Sequence, residues 1–156
     1  MTDPIWTHPS IIAWTQRLLE SFQHWTGREL LERKGSVLAE ARALFHAPFV
    51  VVSHGTESEP MLNYGNQAAL DLWEMTWEQL IHTPSRQTAE PENREERARM
   101  LMLAEAQGYF TGYRGIRISA TGRRFLVTGA TVWNVVDQQG QRVGQAATFS
   151  QWSNVP

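Results

Sequence analysis

Cysteine is absent from the 156-residue sequence. Disulfides, thiolate zinc sites, c-type haem attachment and a covalent flavin adduct are therefore excluded. Long apolar runs are also missing, since no segment approaches the roughly 18 consecutive apolar residues of a membrane-spanning helix. The N-terminus carries no basic region followed by an apolar core, as a secretory signal would. We therefore expect a cytoplasmic protein with no membrane partner.

Positive charge is scarce as well. Lysine and arginine total 14 residues against 16 aspartates and glutamates, for a net charge of -2, and Lys34 is the only lysine. A nucleic-acid partner normally requires a basic face, so none is expected. The chain does contain 42% hydrophobic and 19% charged residues. These proportions are typical of a globular domain that is long enough to bury one core.

The first part of the chain, 1–46, is interpreted as an N-terminal helical extension. Apolar residues recur there at the spacing of one helix face, namely Ile11, Trp14, Leu18, Phe22 and Trp25. A proline suits the first turn of this helix and Thr26-Gly27 marks its end. This stripe is either a candidate dimer surface or a face that packs on the back of a sheet, and the pattern leaves both open.

The second part, 47–153, alternates short strands and helices. The expected strands are 49–52, 61–64, 112–119, 125–136 and 143–152, and helices are indicated after Gly65, after Thr76 and over 93–107. Asn66 is interpreted as a helix cap, and Thr76 with Gln79 and Asn93 with Glu96 have the signature of capping boxes. This order predicts an α+β fold with a five-stranded antiparallel sheet and helices on one face.

This order of elements resembles the PAS fold. The stretch NYGNQAALDLWEMTW, in which a strand ends and a capped helix begins, carries the resemblance most sharply. The words VVSHGTESEPMLNYGNQAALDLWEMTW, YRGIRIS and ATVWNVVD are similar to the bacterial branch of the MEKHLA family. That family is PAS-like and also occurs in plant homeodomain–leucine-zipper regulators, although the hexapeptide that names it is absent here. The resemblance implies a PAS-like MEKHLA domain over 47–153.

By that resemblance, we expect a small-molecule-binding or signal-sensing module, not an enzyme, that acts through a partner protein or as a homodimer. The alternative is a ligand-free interaction or dimerisation module with a filled core. A third hypothesis is a small acid–base enzyme that uses His54 or His82 with a glutamate. The cofactor is unknown, because non-covalent flavin or haem stays open while the histidine that usually ligates haem is missing from 92–107.

A pocket is expected between the sheet and the helices. Strand alternation would place Phe125, Thr131 and Trp133 on one face, and Gln145, Ala147 and Phe149 on another. Thr131 and Gln145 would then be polar residues on otherwise apolar faces, which suits a pocket. The candidate pocket residues are Val51, Tyr64, Trp73, Trp77, Leu101, Tyr113, Ile116, Ile118, Phe125, Thr131, Trp133, Gln145, Ala147 and Phe149.

Ser53 and His54, with Glu57 or Glu59, include the residue types of a hydrolase triad. Adjacent residues on an extended segment point to opposite sides, so Ser53 and His54 are expected to end a strand rather than to form a nucleophile and its base. The five histidines show no spacing typical of a metal site, so no metal is expected. A pairing of His54 with His82 in three dimensions is the one arrangement left open.

Arginines cluster in the strand region that follows the last helix. They are Arg114, Arg117, Arg123 and Arg124. Such residues could bind an anion, or they could keep the edge of a sheet soluble and unpaired. The pattern leaves both interpretations open.

Overall fold

The computed structural model describes residues 3–89 and 94–156, and the side chains of residues 94–98 and of Leu101 lie outside that description. The helices are α1 (Pro9–Thr26), α2 (Val37–Phe45), α3 (Gln67–Trp73), α4 (Trp77–Leu80) and α5 (Arg94–Gln107). The strands are β1 (Val50–His54), β2 (Leu62–Gly65), β3 (Tyr109–Ile118), β4 (Arg124–Val136), β5 (Arg142–Phe149) and β6 (Gln151–Asn154). Single 3-10 turns occupy Ile5–Thr7 and Ser85–Thr88.

The described strands form one antiparallel sheet. Its order is β2-β1-β5-β4-β3, and the short β6 pairs with β4. The first hairpin, β1–β2, joins the later meander through the pairing of β1 with β5, in which Val52 lies opposite Ala147. The α+β fold with an antiparallel sheet is therefore confirmed, and the strand expected over 143–152 is divided into β5 and β6.

The transition from β2 to α3 is held by one buried side chain. Asn66 is fully buried, and its Oδ1 accepts hydrogen bonds from the backbone N–H groups of Ala69 at 3.2 Å and Val51 at 3.0 Å. Its Nδ2 donates to the carbonyl oxygens of Leu44 at 3.1 Å and Phe49 at 2.8 Å. The predicted N-cap is confirmed. The same side chain also ties α3 to β1 and to the end of α2.

A second predicted cap, at Thr76, is also confirmed. The Thr76 hydroxyl accepts from the backbone N–H of Gln79 at 3.1 Å, and the Gln79 side-chain oxygen accepts from the Thr76 N–H at 2.9 Å. This reciprocal pair is a capping box that opens α4. The third expected box, at Asn93 with Glu96, lies outside the described residues.

Helix α1 packs across one face of the sheet. Leu18, Leu19 and Phe22 are buried there in a cluster that includes Trp133 from β4. The rings of Phe22 and Trp133 meet edge to face, with centroids 5.0 Å apart, a geometry that adds to the burial of apolar area. The helix also makes polar contacts: Trp14 Nε1 donates to the Ser53 hydroxyl at 2.9 Å.

The apolar stripe of α1 is therefore used inside the chain. All five of its residues, Ile11, Trp14, Leu18, Phe22 and Trp25, belong to or pack against this cluster. Of the two interpretations of the stripe, packing on the back of the sheet is the one that the structure shows. Helices consequently cover both faces of the sheet.

The other face of the sheet carries α3, the Ser85–Thr88 turn and α5. A second buried cluster lies on this side and contains Val50, Ala69, Leu72, Trp73, Tyr113, Phe125, Val127, Ala130 and Phe149. The cluster does not fill the whole space between the sheet and these helices, and a cavity remains between them.

Candidate ligand-binding cavity

A cavity of about 720 Å³ lies between the sheet and the α3, Ser85–Thr88 and α5 segments. This volume falls within the roughly 300–1,000 Å³ that is usual for small-molecule sites. Strands β1, β3, β4 and β5 form its floor, and the Ser58–Pro60 loop and the Ser85–Ala89 segment form part of its rim. The floor is rigid, because these strands are hydrogen-bonded on both sides of β4 and β5.

The body of the cavity is apolar and aromatic. Trp73 of α3 lies edge to face with Phe149, centroids 6.1 Å apart, and with Phe125, centroids 5.3 Å apart. The Trp73 indole N–H donates to the Thr88 carbonyl oxygen at 3.5 Å, which satisfies its polar atom. Ala130 adds a small side chain to the floor. Such a surface would receive an apolar molecular body through burial of apolar area.

Charged and polar groups line the rest of the cavity. Arg86 and Glu59 form an ion pair of 2.6 Å at the rim. On β3, the Arg117 guanidinium donates to the Tyr113 hydroxyl at 2.6 Å and lies 5.1 Å from the centre of its ring. This pair presents an arginine from the floor, where a cation–π contact and a hydrogen bond together hold it in place.

His54 of β1 is a further polar group in the cavity wall. Its Nδ1 lies 2.8 Å from the Gly55 carbonyl oxygen. Burial lowers the pKa of His54 below its ordinary value, and the nearby positive charge of Arg142 lowers it further, while the Gly55 carbonyl acts in the opposite direction. The imidazole is therefore neutral at pH 7 and offers the cavity a neutral donor or acceptor rather than a positive charge.

Five of the candidate pocket residues line this cavity: Trp73, Tyr113, Gln145, Ala147 and Phe149. Phe125 belongs to the buried cluster on the same side but lies behind the lining. Ile116 and Ile118 alternate with Arg117 on β3 and so point to the opposite side of the strand. The side chain of Leu101 lies outside the described part of the chain.

The structure places the remaining candidates on the α1 side of the sheet. Val51, Tyr64 and Trp133 belong to the cluster beneath α1, and Trp77 packs against it with its ring 5.9 Å from that of Tyr64. Thr131 shares the strand parity of Trp133 and so its face. These residues are core residues of the other layer, and a molecule in the cavity would not touch them.

A β-bulge in β4 explains why Phe125 and Trp133, which strict alternation assigns to one face of the sheet, lie on opposite faces. Tyr113 lies opposite Ala130 and Gly115 lies opposite Val127. Between these two pairs, β4 therefore contains one more residue than β3. Gly129, in the bulge, has a φ of +67°, a left-handed conformation that glycine adopts without a steric penalty. The extra residue reverses the alternation, so Val127 and Ala130 both face the cavity while Trp133 faces α1.

The cavity lining also contains residues that were not among the candidate pocket residues, in particular His54, Arg86, Ala130 and Arg142. Arg142 reaches the cavity because β5 carries a bulge of its own, in which the pairs Val135–Gly144 and Val136–Arg142 leave one residue unpaired. Arg86 lies on a turn whose position no strand or helix period predicts. Arg117 is different, because its sequence position indicates its place: it lies four residues after Tyr113 on the same strand and therefore on the same face.

The structure separates the residues of the suggested catalytic and metal-binding arrangements. Ser53 faces α1, where its hydroxyl donates to Asn63 Oδ1 at 2.6 Å, whereas His54 faces the cavity. The prediction that these neighbours do not pair is confirmed. His82 is exposed in the turn that follows α4 and does not line the cavity with His54. Among the described side chains, no group of three His, Cys, Asp or Glu residues is placed to hold a metal ion.

No described helix combines the length and apolar character needed to cross a membrane.

A family model described as the MEKHLA domain matches residues 12–154 of the chain. The match begins within α1, so it includes most of the helix that covers the sheet. Among curated proteins, the homeobox-leucine zipper protein ATHB-9 of Arabidopsis thaliana is 32% identical over 100 residues, or 64% of this chain. The chain spans only 12% of the length of that relative.

Solved structures share the architecture at low sequence identity. The PAS domain of a protein from Colwellia psychrerythraea is 17% identical, with a TM-score of 0.60 over 75% of this chain and 94% of that chain. A light-oxygen-voltage domain described with a flavin analogue is 16% identical, with a TM-score of 0.57 over 76% of this chain and 85% of that chain. At these identities the likeness shows the fold alone. The chain belongs to the MEKHLA domain family and has a PAS-like fold.

Proposed function

We propose that this chain is a cytoplasmic sensory module that binds a small molecule in the cavity and acts through a partner protein or a second copy of itself. The observation that carries the proposal is the cavity of about 720 Å³ with an apolar body and polar edges, which is the usual character of a ligand site. Family membership and the PAS-like fold support it. The ligand-free alternative requires a filled core, which this open volume disfavours.

A connection from the cavity to α1 runs through Asn134 of β4. Its Nδ2 donates to the Ala104 carbonyl oxygen of α5 at 3.1 Å, and its Oδ1 accepts from the Gln145 amide in the cavity wall at 3.4 Å. The Asn134 backbone carbonyl accepts from Trp25 Nε1 of α1 at 2.8 Å. A ligand that displaces α5 or Gln145 would therefore act on an anchor of α1. Asn134 therefore contacts the cavity on one face of the sheet and α1 on the other, and a change in its position would transmit ligand binding from one face to the other.

The proposed role is binding rather than turnover. Ser53 and His54 both contribute to the described lining of the cavity, but they do not form a nucleophile–base pair, because the Ser53 hydroxyl is bonded to Trp14 Nε1 and to Asn63 Oδ1. A covalent flavin adduct is excluded because the chain has no cysteine. A resident flavin would therefore not be held by a cysteinyl bond.

The proposal is tested by native mass spectrometry of the full chain, purified gently and then exposed to a small-molecule extract. We expect a retained small-molecule mass in the wild type and its loss in Ala147→Phe, which places a ring in the cavity. Ala13→Phe adds the same ring at an exposed position of α1 and should leave the retained mass unchanged. The same spectra report whether the chain is monomeric or dimeric.

Failure to retain any mass in the wild type, together with failure to bind an apolar dye in the cavity, would contradict the binding role. Retention that is equal in Ala147→Phe and in the wild type would place the ligand elsewhere. A wild type that is monomeric at all concentrations and in the presence of ligand would leave the partner protein as the only route of action.

A further inference from the structure

We infer that the cavity selects an organic anion, a mostly apolar small molecule with one acidic head group that is bound by Arg117. The inference rests on the proposed binding role and specifies its ligand class. The acidic head group would lie on the β3 side of the cavity, where Arg117 is placed.

The described lining of the cavity carries a surplus of positive charge. Arg86 is neutralised by Glu59 at 2.6 Å. Arg117 and Arg142 also line the cavity, and neither forms an ion pair with a carboxylate of the described residues: Arg117 donates to a phenol oxygen, and Arg142 donates to the Asn134 amide oxygen at 3.4 Å. His54 is neutral at pH 7. The described wall thus favours an anionic ligand over a cationic or a neutral one.

Arg117 is the better placed of these two arginines. Its backbone pairs with Phe125 of β4 on one side and forms a bridge to Ala89 on the other, so both neighbours fix the position from which its side chain starts. Directly opposed residues of an antiparallel pair share a face, and Phe125 belongs to the cavity-side cluster. Arg142, by contrast, is exposed and better suited to attracting an anion than to holding it.

The guanidinium of Arg117 is preorganised for a planar acidic group. One N–H goes to the Tyr113 hydroxyl at 2.6 Å, and the aromatic ring lies 5.1 Å from the guanidinium carbon. The remaining N–H groups keep the fork geometry that matches a carboxylate or sulfonate oxygen pair. Holding the side chain in advance reduces the conformational entropy that the ligand would otherwise have to overcome.

The apolar body of the ligand has a matching place. Trp73, Ala130 and Phe149 lie in the same cavity, and they offer aromatic and small apolar surface rather than further charge. An anion with no apolar body would leave this surface exposed to water, and a neutral apolar molecule would partly desolvate the Arg117 charge without supplying an anionic partner, which is unfavourable. An amphiphilic acid satisfies both parts of the lining.

A pair of dyes that differ in one acidic group tests the inference. The probes are 1-anilinonaphthalene-8-sulfonate and its neutral counterpart N-phenyl-1-naphthylamine, titrated into the full chain with fluorescence as the readout. We expect Arg117→Gln to weaken binding of the sulfonate dye by on the order of tenfold, because a hydrogen-bonded charge pair is lost, and to change binding of the neutral dye less than about twofold.

Two variants control for charge and for site. Arg114→Gln removes the same charge from an exposed position on the same strand and should leave both dyes unaffected. Ala147→Phe, which fills the cavity, should weaken both dyes together. The far-UV circular dichroism and the unfolding midpoint of each variant show that it is folded.

The outcomes separate this inference from the binding role on which it rests. Equal loss of both dyes in Arg117→Gln, no loss of either, or an equal effect of Arg114→Gln would overturn the anion assignment while the cavity remains a binding site. Binding of the neutral dye alone by the wild type would also overturn it. Failure of both dyes to bind the wild type would count against the binding role itself.

Discussion

Replacing Asn66 by alanine removes the most heavily used polar side chain at the junction of β1, β2 and α3. The amide makes four hydrogen bonds to backbone groups, accepting from Val51 and Ala69 and donating to Leu44 and Phe49. The residue is fully buried, so water cannot replace these partners. The N–H groups of Val51 and Ala69 and the Phe49 carbonyl would lose their hydrogen bonds to this amide, whereas the Leu44 carbonyl would keep its bond from the Ala47 N–H at 3.3 Å.

The cost follows from these contacts. Loss of the cap bond to Ala69 is worth about 1 kcal/mol, and each of the other three buried bonds adds about 1 kcal/mol or more. We therefore expect Asn66→Ala to reduce the free energy of unfolding by about 4 kcal/mol, at the upper end of single substitutions. For a chain of this length, that corresponds to a fall in Tm of roughly 8–16 °C.

A second N-cap in the same chain provides the matched control. The Ser36 hydroxyl caps α2 by accepting from the Ala39 N–H at 3.1 Å, but its surroundings are exposed and this is a single bond. Ser36→Ala should cost only about 1 kcal/mol. Urea unfolding followed by tryptophan fluorescence and far-UV circular dichroism measures both. If Asn66→Ala costs no more than Ser36→Ala, the buried amide is not the tie between helix and strands that we describe.

Two further predictions concern close packing and pH. A methyl group at Gly108 would overlap the Trp25 ring, whereas one at Gly140, with a similar φ of +80°, would meet open space. In urea unfolding, Gly108→Ala should therefore reduce the free energy of unfolding by about 2–4 kcal/mol and Gly140→Ala by about 1 kcal/mol. Equal losses of stability in the two variants would contradict the overlap. Burial lowers the pKa of His54 in the folded state below its ordinary value, so the unfolded chain binds this proton first and stability declines as the pH falls below about 6.5. The decline should be shallower in His54→Gln, and parallel profiles of unfolding midpoint against pH would refute that assignment.

Short-range residue patterns predicted the helix caps and the buried face of α1. The N-caps at Asn66 and Thr76 depend on residues three positions apart, and such short-range geometry is visible in a sequence. The spacing of Trp14, Leu18 and Phe22 in the same way predicts one buried helix face. What that spacing could not indicate is the partner of the face, because a sheet in the same chain and a helix in another chain bury it equally well.

The candidate site was harder to predict, and β4 shows the reason. Strict alternation assigns Phe125 and Trp133 to one face, but the bulge at Gly129 reverses the alternation between them. A bulge arises from how two strands pair, and the pairing depends on residues far apart in the chain. Arg86 and His54 meet in one cavity for a similar reason, since a turn and a strand from separate segments form its wall.

The sequence by itself determined the order of the elements, the caps that begin α3 and α4, and the absence of any chemistry that requires cysteine, because each depends on composition or on neighbours within a helical turn. Only the tertiary structure decided that α1 covers the sheet, that Trp133 lies beneath it, and that Arg117 and Tyr113 face an open cavity on the other side. Those outcomes depend on strand register and on helix packing across the sheet. Both are properties of the assembled layers and not of any single segment.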